Sequence, residues 1–341
     1  MLDPLPEWPA FGLAEDVRPV LARAQASGKT LVLATLVALE GGGPRPVGTQ
    51  MVFAEGLVAG YFSGGCVEGD IAGHAARCLE DGEPRRLVYG EGSPWPDIRL
   101  LCGARIEVFL ERVAAGDPAL AELLHLTAAR RPALWVSDGR RRECGAPGET
   151  TMWKEAITRP YEPVPRLVVV GWDPAALAIA SLGAQAGFET SLIRPKGPEA
   201  PPPFPGVAYL RGEPGEALAR IGPDAWTSVA VATHDLEIDQ AALRAALPSQ
   251  AGYVGLLGAR ARLAERLARL RASGVPESAI ARLHAPIGLD LGGAKAPWEV
   301  AVSVIGEITA LRYARASGST STSPPTATAG APGGRRSSAS A

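Results

Sequence analysis

No run of eighteen apolar residues occurs in this 341-residue sequence, so a membrane-spanning helix is not expected. The first residues, MLDPLPEWPAFGLAEDV, lack a basic segment followed by an apolar one, and no secretory signal is expected either. No block of basic residues is present and the formal net charge is -2, which argues against nucleic acid as a partner. The short cluster Arg140 to Arg142 has no interleaved aromatics and reads as a solvated loop. Cysteine is scarce. Cys66, Cys78, Cys102 and Cys144 are scattered without a Cys-x-x-Cys pair, which argues against a zinc site and against a disulfide framework. A reducing cytoplasm is the expected compartment.

What the sequence does contain is enough apolar residue, 46%, to build about two cores of ordinary size. Residues 1–112 read as a mixed α/β domain with glycine-rich loops. Thr30 to Ala38 is a buried strand, Met51 to Ala54 and Leu57 to Phe62 form a hairpin around Glu55-Gly56, and a helix runs from Cys66 to Gly82. Residues 113–165 read as a connecting region. It holds a helix from Pro118 to Arg130, a strand from Ala133 to Ser137 and a proline-punctuated linker, YEPVPR. From 166 to 316 strands and helices alternate (LVVVG, PAALAIASLGAQAG, FETSLI, SVAVATHD, GYVGLLG), which predicts a Rossmann-like, doubly wound parallel sheet. Pro297 suits the first turn of a last helix. Residues 317–341, rich in serine, threonine, glycine and proline, are expected to be disordered.

Three glycine-rich segments of the first domain carry the chemistry. In GGGPRPVGTQM, Pro44 and Pro46 fix a turn, Gly48 frees the backbone, and Arg45 offers a planar fork for an oxyanion. In SGGCVEGD, Ser63, Gly64 and Gly65 lead into a helix. The orphan amides and positive dipole end at its start favour an anion there and a thiolate at Cys66. Glu68 reads either as a base that meets a heterocycle or as a helix-dipole partner. In LCGARIEVFLE, Cys102 and Gly103 precede a strand whose Ile106, Val108 and Leu110 alternate with Arg105 and Glu107. Cys78 lies on an apolar helix face and reads as core; Cys144 lies in a loop without chemical context. In the second half, His234 and Asp235 close a strand, as an acid–base pair or with Asp235 as a helix cap. Gly258 and Arg260, in GLLGARAR, sit at a strand-to-helix turn that suits a phosphate. Asp290 and the twin glycines of HAPIGLDLGG form a loop placed to close over a cleft, while His74 and His125 read as structural.

Taken in order, Pro44-Arg45-Pro46-Val47-Gly48, Ser63-Gly64-Gly65-Cys66-Val67-Glu68 and Cys102-Gly103-Ala104-Arg105-Ile106-Glu107 resemble the N-terminal domain of the XdhC/CoxI family. These are accessory proteins of xanthine and carbon-monoxide dehydrogenases. The third segment departs from the family pattern at Ala104, often a glycine there. The resemblance continues through THDLEID, GLLGARAR and APIGLDLGG and covers nearly everything before the tail. It implies a chaperone that binds molybdenum cofactor (molybdopterin-bound molybdenum), protects it during sulfuration and delivers it to an apo molybdenum hydroxylase. Cys66 is the implied metal contact; a cysteine desulfurase is an implied second partner and a homodimer the implied assembly. The residues are compatible: a phosphate-bearing pterin suits a glycine-rich loop with an arginine, and thiophilic molybdenum suits a thiolate.

Two other readings stay open on the residues. One is an NAD(P)-dependent oxidoreductase using the Rossmann-like half. It is disfavoured because the Gly-x-Gly-x-x-Gly spacing falls on Gly171, Asp173 and Ala176, and because Pro174 removes a donor. Arg194 stands about where NAD-binding domains place an acidic residue. The other is a thiol enzyme with Cys66 as nucleophile and His234 as base, which needs a sequence-distant pair to meet.

Overall fold

The structure is a computed structural model that describes residues 2–43, 45–91, 93, 100, 103–258, 260–293 and 295–316, without the side chains of Arg260 and Ala316. Pro44, Cys102 and the tail 317–341 lie outside the described residues. The chain forms two compact units, Met1–Leu167 with Gly183–Thr190, and Val168–Leu182 with Ser191 onward.

The first unit opens with α1 (Arg18–Ala26), then β1 (Leu31–Glu40), β2 (Gln50–Ala54), β3 (Leu57–Ala59), α2 (Glu68–Asp81), β4 (Arg85–Tyr89) and β5 (Arg105–Val113). The strands make one sheet in the order β3-β2-β1-β5-β4, with every neighbouring pair antiparallel. β1 is central and buried on both faces. Val32, Ala34 and Leu36 pack with Ile71, Ala75 and Cys78 of α2. Leu31 and Leu33 point the other way, towards Val20 and Leu21 of α1. Alternation along a strand sends successive side chains to opposite faces, so a strand covered twice is apolar throughout. Each valine or leucine among them gains about 1.5–3 kcal/mol by full burial. α2 stops at Gly82, whose φ of 76° supplies the left-handed cap. Cys78 is core, as its place on the apolar face predicts.

Residues 113–165 are not a spacer. α3 (Pro118–Ala128) and a second, three-stranded sheet, β7-β6-β8, join the same unit; β6 is Ala133–Ser137, β7 Arg142–Gly145 and β8 Ile157–Tyr161. Leu120, Leu123, Trp135 and Tyr161 share a core with α1 and β1. Cys144 therefore lies in a strand, paired with Trp135, and burial pushes its thiol up to about 12. Tyr161, read as the start of a linker, ends β8. Its hydroxyl donates to Gln50 at 2.7 Å.

Arg142 departs from the solvated-loop expectation. Its guanidinium donates to Glu111 at 3.0 Å and to Asp117 at 2.6 Å, and Glu111 is fully buried. Trp135 and Ser137 donate to the same carboxylate, at 3.0 and 2.5 Å. Burial raises the Glu111 pKa, opposed by the neighbouring Arg142 charge and these hydrogen bonds.

The second unit follows strand–helix alternation. Apart from Arg166–Leu167 and Gly183–Thr190, which cluster with the first unit, it comprises β9 (Arg166–Gly171), α4 (Pro174–Gln185), β10 (Glu189–Arg194), β11 (Val207–Arg211), α5 (Pro214–Ile221), β12 (Thr227–Ala232), α6 (Leu236–Ala246), β13 (Tyr253–Leu256), α7 (Leu263–Ala272), α8 (Glu277–Ile280), β14 (Leu283–His284) and α9 (Pro297–Ala316). The parallel sheet runs β11-β10-β9-β12-β13-β14. The chain lays strands outward from β9 and then crosses back to put β12 on its other side, so the order reverses between β9 and β12. No helix among the described residues is long and apolar enough to cross a membrane.

Replacing Arg142 with Met should leave the Glu111 carboxylate buried without its cation. The expected cost is about 3–5 kcal/mol of unfolding free energy in urea titrations. A loss below about 1 kcal/mol, the size of an exposed ion pair, would contradict the role given to this network.

Candidate functional site

Antiparallel pairing decides where the glycine-rich segments meet. Glu40, the last residue of β1, pairs with Arg105, the first of β5, and their side chains are 2.8 Å apart. Gln50 at the start of β2 faces Thr35, and Ala59 at the end of β3 faces Val52. The loops after β1 and β3 and the loop before β5 therefore emerge at one end of the sheet. A Cβ on Gly41 would stand 3.5 Å from the Gly103 carbonyl, which joins the first and third segments directly. Backbone closure at this end requires glycine twice. A Cβ at Gly60 would lie 2.1 Å from the Gln50 carbonyl oxygen, and one at Gly90 would lie 2.2 Å from that of Ala104.

Arg45 reaches the second segment through Tyr61. Its guanidinium lies 5.0 Å from the Tyr61 ring and donates to Glu15 at 2.8 Å. Burial works against its charge, but the hydrogen bond and charge of Glu15 outweigh it and raise the pKa. The fork read as a grip for an oxyanion is thus engaged with a carboxylate of the chain. Gly48 anchors the same loop. Its amide donates to Leu36 at 2.7 Å, and its φ is 89°.

The SGGCVEGD turn corrects a second expectation. The helix begins at Glu68, so Cys66 precedes it rather than occupying its first turn. The amides expected to hold an external anion are taken by Glu68 itself. Its carboxylate accepts from Phe62 N (2.9 Å), Ser63 N (2.7 Å), Ser63 Oγ (2.7 Å) and Gly65 N (2.9 Å). Ser63 Oγ accepts in turn from Cys66 N at 3.0 Å. Burial disfavours the Glu68 charge, yet the Ser63 and Phe62 hydrogen bonds hold its pKa below the ordinary 4.5. Glu68 is 3% exposed and faces into its own turn, so it is not disposed to act as a base towards a ligand.

What remains open at this end, among the described residues, is bare backbone and the Cys66 thiol. A Cβ at Gly64, Gly65 or Gly103 would meet nothing within 4 Å, and Cys66 is exposed with a free thiol. The positive φ values there, 86°, 117° and 71°, require glycine. Beside it, Tyr89 Oη donates to Asp70 in the first turn of α2 at 2.7 Å. Among the described residues no group of three His, Cys, Asp or Glu side chains is disposed to hold a metal ion.

The remaining sequence-derived candidates fall in the second unit. Asp235 is the cap of α6, accepting from Glu237 N at 2.9 Å and Ile238 N at 3.1 Å. His234, with a φ of 62°, turns its Nε2 to Asp173 at 2.9 Å. Asp173 also accepts from Ala176 N at 2.8 Å, where a dinucleotide's pyrophosphate would meet the start of α4. Gly258 lies against Arg266: a Cβ there would stand 2.0 Å from the guanidinium. Asp290 accepts from Gly292 N at 2.9 Å in a local turn. Sequence reading missed the Asp173–His234 pairing. The signal was present, since both residues follow strands that become neighbours where the strand order reverses.

Because the folded-state pKa of Glu68 is lowered, the unfolded chain binds more protons just below pH 4.5. Its stabilisation is complete above that value and is lost as pH falls through the folded pKa. Glu68→Gln should therefore lower stability at pH 7 and flatten the acid limb of a stability–pH curve. An unchanged acid limb would remove the carboxylate from the account of the turn.

Residues 24–90 match the XdhC and CoxI family and residues 167–308 match the XdhC Rossmann domain. The molybdenum cofactor insertion chaperone PaoD of Escherichia coli is 32% identical over 88% of this chain and 90% of its own. A probable xanthine dehydrogenase subunit of Bacillus subtilis is 26% identical over 81% of this chain and 92% of its own. A Bacillus halodurans protein solved as a xanthine dehydrogenase shares the fold. Its TM-score is 0.70 at 24% identity, over 90% of this chain and 98% of that one. The chain belongs to the XdhC and CoxI family.

Proposed function

We propose that the protein binds molybdenum cofactor as cargo and hands it to an apo molybdenum hydroxylase of the xanthine dehydrogenase type. Relatives carry the role in their names: one similar chain is a molybdenum cofactor insertion chaperone, another a probable xanthine dehydrogenase subunit. The observation that carries the reading is the gathering of three glycine-rich segments at one end of the first sheet, with the exposed Cys66 thiol among them.

The residues there fit such a cargo in a particular way. A metal held through sulfur needs a soft, accessible donor, and Cys66 is one. A flat pterin needs a surface without side chains, which Gly64, Gly65 and Gly103 provide. Glu68 and Ser63 hold the turn rigid, so the thiol is presented without much conformational freedom to lose. Arg45 fixes Tyr61 and so the approach of the first segment; its engagement with Glu15 leaves it a positioning role. A thiol contact on an open surface suits delivery, since cargo must leave as well as bind. Protection during sulfuration, contact with a cysteine desulfurase, work in the reducing cytoplasm and action as a homodimer belong to the same proposal.

The competing oxidoreductase reading meets a physical obstacle. Asp173 places a carboxylate on the first-turn amide of α4, and Pro174 has no amide to give.

Equilibrium binding of molybdenum cofactor to the purified full chain tests the proposal. Cys66→Ala should weaken binding tenfold or more, Arg45→Ala by a smaller factor, and NADH should show no saturable binding. Saturable NADH binding without affinity for molybdenum cofactor would reverse the assignment.

A further inference from the structure

The last helix of the second unit, α9, is apolar on more than the face that packs. Ala301, Val304, Ile305 and Ile308 are buried, as a core-facing stripe requires. Yet Trp298, Val302 and Tyr313 are exposed, at 56%, 55% and 64%. At about 100° per residue these three fall within roughly 60° of one another, so they form a second stripe along the helix. Gly306 and Thr309 lie on the same side and add little bulk. The charged residues of α9, which are Glu299, Glu307, Arg312 and Arg315, fall outside that arc.

At its amino end the stripe meets a cavity of about 280 Å³, lined by Pro174, Leu177, Ala178, Phe204, Pro297 and Trp298, with Ser181 as its polar member. Apolar surface of this extent in water is unfavourable, and its contiguity marks a surface that something covers.

The chain supplies a cover of matching length and chemistry. Residues 317–341 leave from the end of α9, beside Tyr313. Gly318 permits a reversal. Pro324 and Pro325 stand six and seven residues beyond it, a span of about 20–25 Å when extended. Along α9, Val302 lies about 21 Å and Trp298 about 27 Å back from Ala316. A segment turned back along the helix therefore delivers both prolines between Val302 and the indole. Residues 317–334, SGSTSTSPPTATAGAPGG, contain no charged residue, so laying them on the stripe buries no charge. Proline loses little conformational freedom on docking, and extended proline segments pack on aromatic rings. A tether this short gives an effective concentration on the order of millimolar, so a weak contact suffices.

We propose that residues 317–325 form a strap that lies back along α9, with Pro324 and Pro325 packed on Val302 and the Trp298 ring. The strap shields the apolar stripe and the edge of the cavity from water and from a second copy of the chain. It belongs to the second unit alone and does not depend on cofactor capture at Cys66.

Hydroxyl-radical footprinting of the full chain, read residue by residue by mass spectrometry, tests it beside a chain ending at Ala316, which keeps every described element. Trp298 should oxidise at least threefold more slowly in the full chain, and Tyr313 should be protected in the same sense. Trp8, 84% exposed in the first unit, should react equally in both. The full-length variant Pro324→Gly/Pro325→Gly should lose most of the protection with unchanged thermal unfolding, because glycine restores the freedom that proline lacks. Protection should persist on tenfold dilution. Equal Trp298 rates in the two chains would overturn the proposal, as would protection that survives the double substitution. Protection that fades on dilution would overturn it in favour of a second copy as the cover.

Discussion

The pairing of β1 with β5 is the constraint on which the first unit depends. These strands are not adjacent in sequence, yet they run side by side from Leu31 opposite Val113 to Glu40 opposite Arg105. That register brings the loop before β5 to the end of β1. It also puts Glu111 of β5 beneath the second sheet, where Trp135, Ser137 and Arg142 hold its carboxylate. One antiparallel ladder thus links the candidate cargo surface to the buried polar network that joins the two sheets. Because β1 is covered on both faces, a one-residue slip would exchange the sets that meet α1 and α2.

A second theme recurs across both units. Helix starts, the usual anion sites of a fold, are filled by carboxylates of the chain. Asp117 serves α3, Asp173 α4 and Asp235 α6, each satisfying orphan amides and complementing the helix dipole, which stabilises the local fold. Glu68 and Glu299 instead hold amides of the turns that precede α2 and α9. The consequence for recognition is that phosphate binding at these positions is surrendered. In the proposed reading, recognition by the first unit then falls to the Cys66 thiol and bare glycine backbone.

Much of the fold was legible in the sequence because local rules carried it. The central strand of the first unit, the hairpin at Glu55-Gly56, the α2 stop at Gly82 and the strand–helix alternation after residue 166 follow from apolar periodicity and turn chemistry. The status of residues 113–165 was not legible: Trp135 and Tyr161 enter a core built by α1 and β1, a long-range choice that no local pattern announces. Arg142 looked solvated for the same reason, since its partner Glu111 lies on another strand.

The sequence by itself determined which residue types stand beside each glycine, and hence that Ser63 to Glu68 and Thr233 to Asp235 are polar turns at the ends of strands. Only the tertiary structure decided what those side chains do. Glu68 folds back to saturate its own turn, Arg45 takes Glu15 and Tyr61, and His234 takes Asp173. The physical reason is that spacing along the chain fixes backbone geometry within a turn. The partner of a polar group depends instead on which strand ends the sheet brings together, and that is set by burial of apolar faces far from the group itself.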